Sequence, residues 1–354
     1  MEDQRVEQKR ALILSGGGGR GAYHCGVYEY LESVGWRPDI LVGTSIGAIN
    51  AAAIASGRTA GQLKKLWLKL NTNKVQRLRT DILNLDRWTY LLDTSPWRRS
   101  LLEDDWFDFD HINSERAPTL AIVTTDVWTG DITVFCNRPL AKSRSGGPRS
   151  KRIRCEPITL EHIMASCSIP VVYPWTSVGG EEDTFWDGAV VSNTPLGTAL
   201  RAGATDIVVV LLSPWEEKDA VTAEGRASFK LWTLPGLALD WVLLASFRAD
   251  LKLCEALNMF VAAYELLDEA QRRDLVQHVW GAETKEEQDA LLERLASYKF
   301  VRAPRIIAPR RLLPVEQIVT YDPESHRQLF KQGYADAVRV MRHVCLLYTS
   351  PSPR

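Results

Sequence analysis

The sequence lacks paired cysteines. Cys25, Cys136, Cys155, Cys167, Cys254 and Cys345 are scattered, with no C-x-x-C spacing and no Cys/His cluster. That pattern argues against a disulfide framework and a zinc site, and fits free thiols in a reducing compartment. The first ten residues are polar and mixed in charge, without the apolar segment of a secretory leader. Long hydrophobic runs are missing too. The most apolar late stretch, residues 231–245, is broken by Pro235 and Asp240 and is too short to span a bilayer. There is no excess of charge of either sign: the net charge is −1 and the pI about 6.6, so no global field recruits nucleic acid. No internal repeat and no clear linker divides the 354 residues. These absences leave a soluble, cytoplasmic chain with ample core, read as one α/β domain with insertions.

Within that frame one stretch stands out. Ile40-Leu41-Val42 is an apolar run of buried-strand type, and Gly43-Thr44-Ser45-Ile46-Gly47 follows it directly. An alanine-rich helix comes next. G-x-S-x-G between a strand and a helix is the layout of a nucleophile elbow. Gly43 and Gly47 keep the tight turn free of side chains, so the Ser45 hydroxyl can project. The helix start aims free N–H groups and partial positive charge at it.

One strand earlier, the apolar residues 11–14 run into Gly16-Gly17-Gly18-Gly19-Arg20-Gly21 and then a helix over 22–34. Consecutive glycine N–H groups at Gly17, Gly18 and Gly19 can converge on one pocket and hold an oxyanion. The same loop also reads as G-x-G-x-x-G, the dinucleotide fingerprint. That reading wants an acidic residue at the end of the second strand, where Val42-Gly43-Thr44-Ser45 stands instead.

A base for Ser45 is sought among the carboxylates and histidines. Asp187 is flanked by the small residues Gly188 and Ala189, which let a carboxylate approach another backbone closely. A hydrolase triad would add a histidine after the acid. His278 and His326 follow Asp187, but each sits in a charged helical context with no loop signal. The remaining arrangement is a dyad in which Asp187 takes the serine proton directly. An ordinary carboxylate is a weak base for this task, so the dyad leans on desolvation and on the oxyanion pocket. Asp126 reads as a hairpin turn residue between strands at 120–124 and 132–136.

Three stretches stay open at this level. Residues 75–115 carry Trp88, Trp97 and Trp106 and read either as a cap with buried tryptophans or as a substrate-facing lid. Residues 138–154 hold seven basic side chains and no acidic one: Arg138, Lys142, Arg144, Arg149, Lys151, Arg152 and Arg154. This is either a solvated run or a contact for anionic lipid headgroups. Residues 216–298 are helical in pattern, with a charged hairpin over 268–298. Further elements are expected as a helix over 160–166, a helix from Pro195, a buried strand over 207–212, a strand near 305–309 and a last helix over 323–344. The final ten residues, 345–354, continue no pattern and resemble a translated sequencing-library adapter, so they are expected to be an artefact tail.

Taken together, the glycine loop, the Ser45 elbow and Asp187-Gly188-Ala189 resemble, in order, the signature motifs of the patatin-like phospholipase family. Ala165-Ser166-Cys167-Ser168-Ile169-Pro170 and Asn193-Thr194-Pro195-Leu196 add to the resemblance. It implies a three-layer α/β fold, with a mostly parallel central sheet between helices and helical insertions. Residues 11–213 would form the catalytic core and 214–344 would complete the same domain. It further implies a Ser45–Asp187 dyad, an oxyanion hole at Gly17 to Gly19, and Arg20 where the family usually has a basic residue. Gly16, Gly21, Gly43, Gly47, Gly188 and Ala189 support the motifs. The implied activity is cleavage of lipid esters, phospholipids among them, through an acyl-enzyme, without metal or other cofactor. A histidine-triad esterase and a non-catalytic lipid- or dinucleotide-binding protein are the alternatives.

Overall fold

The computed structural model describes residues 9–79, 89–140, 152–215, 234–296 and 300–348. Trp88, the middle of the basic run (141–151) and residues 216–233 lie outside that set. Contacts group the chain into two compact units, Met1–Phe247 with Pro304–Arg354, and Arg248–Ala303.

The larger unit is built on a mixed, mostly parallel sheet flanked by helices, a three-layer α/β fold. Its strands are β1 (Arg10–Leu14), β2 (Ile40–Thr44), β5 (Thr119–Asp126), β6 (Ile132–Cys136), β7 (Arg152–Cys155), β8 (Thr176–Ser177), β9 (Thr184–Asp187), β10 (Asp206–Val210) and β11 (Arg305–Ile307). Two short strands, β3 (Arg77–Leu78) and β4 (Leu92–Asp93), form a separate pair. The main order is β11-β10-β1-β2-β5-β6-β7. From β11 through β5 every neighbour is parallel. β1, β2 and β10 are apolar runs without alternation because both faces of the sheet are covered; every residue of β2 and β10 is buried. The expected hairpin appears as β5 and β6, antiparallel, and the Asp126 carboxylate accepts the N–H groups of Trp128 and Thr129 in its turn.

β5 sets the geometry that follows. β6 occupies one of its edges over Ala121 to Thr125. β2 occupies the other edge up to Val123, where Thr44 is its partner. β9 then takes over that same edge at Thr124, opposite Asp187. The residue after β2 and the last residue of β9 therefore meet at one level of β5.

Helices Ala22–Ser33, Ala60–Lys69 and Pro323–Tyr348 pack against one another. In the second of these Leu63, Leu66 and Trp67, spaced i, i+3 and i+4, are buried on one face. The last helix runs on past Val344 to Tyr348, so the boundary read from the sequence falls short. The described part of the 75–115 stretch contains helices Ser95–Glu103 and Phe109–Ile112, and its Trp97 and Trp106 are buried in the main core. The carboxyl end of the basic run is also ordered: Arg152 and Arg154 belong to β7, in register with Thr133 and Phe135.

The helix Leu234–Glu265 opens with Pro235 in its first turn, where a missing N–H costs nothing. Its residues to Phe247 belong to the larger unit. In the smaller unit, helices Glu269–Trp280 and Lys285–Ala296 form the charged hairpin, and Tyr264, Val276 and Leu295 make a small core. An Asp268/Gln271 capping box opens the hairpin and left-handed Gly281 closes its first helix. No helix among the described residues is long and apolar enough to cross a membrane.

Candidate active site

The chain leaves β2 at Thr44 and enters the helix Ile46–Ala55 through a single residue, Ser45. Ser45 has φ 57° and ψ −128°, in the positive-φ region that side chains other than glycine rarely occupy. Such a conformation costs on the order of 1–3 kcal/mol and persists only where surroundings enforce it. The enforcing contacts are visible. The Ser45 N–H donates to Ser166 Oγ (2.8 Å), and the Ser166 hydroxyl donates to the Val123 carbonyl (2.6 Å). The elbow is thus tied through one buried hydroxyl to β5.

Asp187 arrives from the other side. Its N–H donates to Ser168 O (2.9 Å) and its carbonyl accepts from Thr125 Oγ1 (3.1 Å). Its carboxylate accepts the Ala189 N–H at 2.8 Å and lies close enough to the Ser45 hydroxyl for that group to favour its charged form. The side chain is almost wholly withdrawn from water, and that desolvation pushes its pKa up to about 7. The two hydrogen bonds oppose the rise without cancelling it. Cys167, Tyr173 and Tyr321, all within electrostatic reach of Asp187, are pushed upward by burial and stay neutral near pH 7.

Beside Ser45 runs the glycine loop. A side chain at Gly16 would put its Cβ 2.9 Å from the Ser45 Cβ and 2.8 Å from Asn193 Oδ1, so the loop touches the elbow only because residue 16 has none. The Gly16 N–H donates to Asn193 Oδ1 at 2.7 Å. Gly17 and Gly18 take φ of 152° and 60°, and Gly18 lies against the Ile318 carbonyl, where no Cβ fits. Among the described residues, the N–H groups of Gly17, Gly18 and Gly19 donate to no protein acceptor. Adjacent backbone amides without a protein acceptor are donors of the kind that an anion can use. Gly21 lies against Ile46, Gly43 belongs to β2, Gly47 to the first turn after Ser45, and Gly188 and Ala189 to the turn after β9.

Arg20 does not face this cluster as a free cation. It is buried, and its guanidinium is paired with Asp240.

His326 and His278 each have partners of their own. His326 Nδ1 contacts the Trp67 carbonyl at 3.0 Å, its ring packs edge-on to Trp67, and burial pulls its pKa down to about 4. His278 lies on the smaller unit with Nδ1 against Asp274. Among the described residues no group of three or more His, Cys, Asp or Glu is placed to hold a metal ion.

Ser45, Asp187, the glycine loop and their small neighbours are therefore brought together. Two contributors carry no assigned role in the sequence reading, Ser166 and Asn193. Both lie in stretches already singled out for their likeness to family text, but what they bond to is a tertiary fact.

The family model for patatin-like phospholipase matches residues 12–200, more than half of the chain, and the protein belongs to that family. It is similar to the uncharacterized protein YqhO of Bacillus subtilis, 27% identical over 240 residues, covering 62% of this chain and 76% of YqhO. It is also similar to human patatin-like phospholipase domain-containing protein 6, 25% identical over 224 residues, 60% of this chain but 14% of that much longer protein. Among solved structures, VipD from Legionella pneumophila aligns over 95% of this chain and 67% of its own, at 14% identity and a TM-score of 0.44.

Proposed function

We propose that the protein is a serine hydrolase of lipid carboxylic esters, phospholipids among them, working through a Ser45–Asp187 dyad and an acyl-enzyme. The observation that carries this reading is the buried Asp187 carboxylate brought beside the positive-φ Ser45 at one level of β5, where desolvation pushes its pKa up to about 7. A base of that strength is matched to work at neutral pH, where an exposed aspartate is too weak.

In the first half-reaction Ser45 Oγ attacks the ester carbonyl carbon and its proton passes to Asp187. The oxyanion is held by the amides of Gly17 to Gly19. Collapse expels the alcohol, which takes the proton from Asp187. In the second half Asp187 accepts a proton from water, the hydroxide attacks the acyl carbon, and Ser45 leaves with the proton as the fatty acid is released. No metal is required by this scheme. In this reading the protein is cytoplasmic and meets membranes peripherally, its basic residues from Arg138 to Arg154 contacting anionic headgroups. Co-sedimentation with vesicles that ignores both anionic lipid content and salt would remove that contact.

The decisive test is hydrolysis of a short-chain nitrophenyl ester, with fluorophosphonate labelling of the nucleophile. Wild-type protein should hydrolyse and label at Ser45. Ser45→Ala should do neither, and Asp187→Asn should lose hydrolysis while remaining folded. Full activity in Asp187→Asn defeats the dyad. A wild type that neither hydrolyses nor labels points to a binding protein instead.

A further inference from the structure

The helix beyond β10 supplies a carboxylate to Arg20, which directly follows Gly19. Asp240, on the helix Leu234–Glu265, is buried. Its Oδ1 accepts Arg20 Nη1 at 2.6 Å and Ser213 Oγ at 2.7 Å, and its Oδ2 accepts Arg20 Nη2 at 3.4 Å. Arg20 also donates to the Leu313 carbonyl (3.0 Å) and, through Nε, to the Pro314 carbonyl (3.3 Å). Arg20 is thus held on all sides by groups of its own protein.

The partners of Asp240 and Arg20 lead to the candidate oxyanion amides by two independent routes. Ser213 directly follows Leu212, whose side chain fills the space where a Gly17 Cβ would stand. Leu313 and Pro314 lead into the turn Val315–Ile318, whose Ile318 carbonyl abuts Gly18. Asp240 therefore joins Arg20 to the segment lying against Gly17, and Arg20, held by Asp240, in turn bonds the segment lying against Gly18. A loop of consecutive glycines has little rigidity of its own, so its amides need such external fixing to meet an oxyanion at hydrogen-bond distance.

We infer that Asp240 is a positioning residue for the hydrolysis proposed above, holding the Gly17–Gly19 amides in place through Arg20 rather than touching substrate. A buried carboxylate this tightly bonded could also be a mere stabiliser of the fold, and the two roles separate experimentally. Replacing a buried ion pair by apolar side chains of similar size is often neutral for stability, whereas removing one partner is not. Arg20→Met/Asp240→Leu should therefore melt near the wild type. Its kcat on a soluble nitrophenyl ester should be at least about ten-fold lower, because a displacement of about 1 Å can cost on the order of 100-fold. KM should stay within about two-fold, since the oxyanion forms only after the ester binds. Fluorophosphonate labelling of Ser45 should slow by a similar factor, because the phosphoryl oxygen occupies the same amides.

A folded double variant with wild-type kcat and labelling rate overturns the inference. If that variant does not fold, Asp240→Glu, which keeps the charge and moves it by one methylene, decides: reduced kcat at constant KM supports positioning, and unchanged kcat refutes it. Failure of the underlying reading is distinguishable: a wild type that neither labels nor hydrolyses removes the hydrolase, and full activity in Asp187→Asn removes the dyad.

Discussion

Asp187→Asn should make the protein more stable at neutral pH while destroying its activity. The reasoning starts from burial. An unfolded aspartate titrates near 3.8, and the folded Asp187 near 7. The native state therefore holds a proton that the unfolded state has already released. Stability from this group is complete below about pH 4, falls as the pH rises through 7, and is absent above. About three pKa units at 1.36 kcal/mol each give about 4 kcal/mol as the upper limit of the cost at pH 8. Asparagine has no such charge to bury. Its Oδ1 can still accept the Ala189 N–H, and its amide can donate to Ser45 Oγ, so the local bonding survives in altered form. The net gain should be smaller than the limit, on the order of 2 kcal/mol, or a rise of a few degrees in Tm for a unit of this size. The assay is thermal unfolding of both proteins in steps from pH 4.5 to 8.5. The difference in Tm should grow from pH 5 to 7 and level off above. If the variant is the less stable protein at pH 8, by a margin that does not change from pH 5, the carboxylate is not desolvated as described and the argument fails.

Three further outcomes test the site from other directions. The same base should govern the wild-type rate: kcat/KM on an uncharged soluble ester should rise with pH and reach half its plateau near pH 7, whereas a half-point near 4 would mark an exposed, unperturbed carboxylate. Ser166→Ala should leave the Val123 carbonyl and the Ser45 N–H without partners, costing about 2–4 kcal/mol in chemical denaturation and lowering kcat as the elbow relaxes; wild-type kcat would show that the elbow holds without it. His278→Gln and His326→Gln should each keep kcat per labelled active site within about two-fold, the second with a lower Tm because it disturbs the packing on Trp67; a loss of a hundred-fold or more in either would bring back a histidine triad.

Much of this arrangement was legible in the residues because it is local. The strand–Ser45–helix layout and the glycine run are decided within a few residues, by chain geometry that only certain side chains permit. The apolar runs at β1, β2 and β10 announced a parallel sheet covered on both faces. Other features were hidden for physical reasons. β7 was masked by its charge, since Arg152 and Arg154 fit an exposed loop equally well; its signal is the alternation Arg152-Ile153-Arg154-Cys155, with Arg154 laid over the Phe135 ring. The regular helices within 75–115 were obscured by short length, and the burial of Trp97 and Trp106 depends on what lies above them. Asp240 looked like an interruption of an apolar helix, because the arginine that balances it lies 220 positions away.

The pairing of Ser45 with Asp187 shows why some long-range facts still leave a local trace. The two residues are far apart in sequence, and no periodicity links them. They meet because β5 is longer than β2 and offers the rest of that edge to a second strand running the other way. β2 must stop where β9 begins, and a chain that stops in the middle of a sheet has to turn sharply; that turn is Ser45, at positive φ. β9 in turn must end against the β5 backbone at Val123, where the next residue lies on a carbonyl and only glycine fits, at Gly188. Each end of the handover thus needs a residue type that sequence can display, a G-x-S-x-G on one side and a small residue after the aspartate on the other. The motifs are the local marks of one topological event, the exchange of partners along the edge of β5, and the desolvation that raises Asp187 follows from its lying inside the sheet at that exchange.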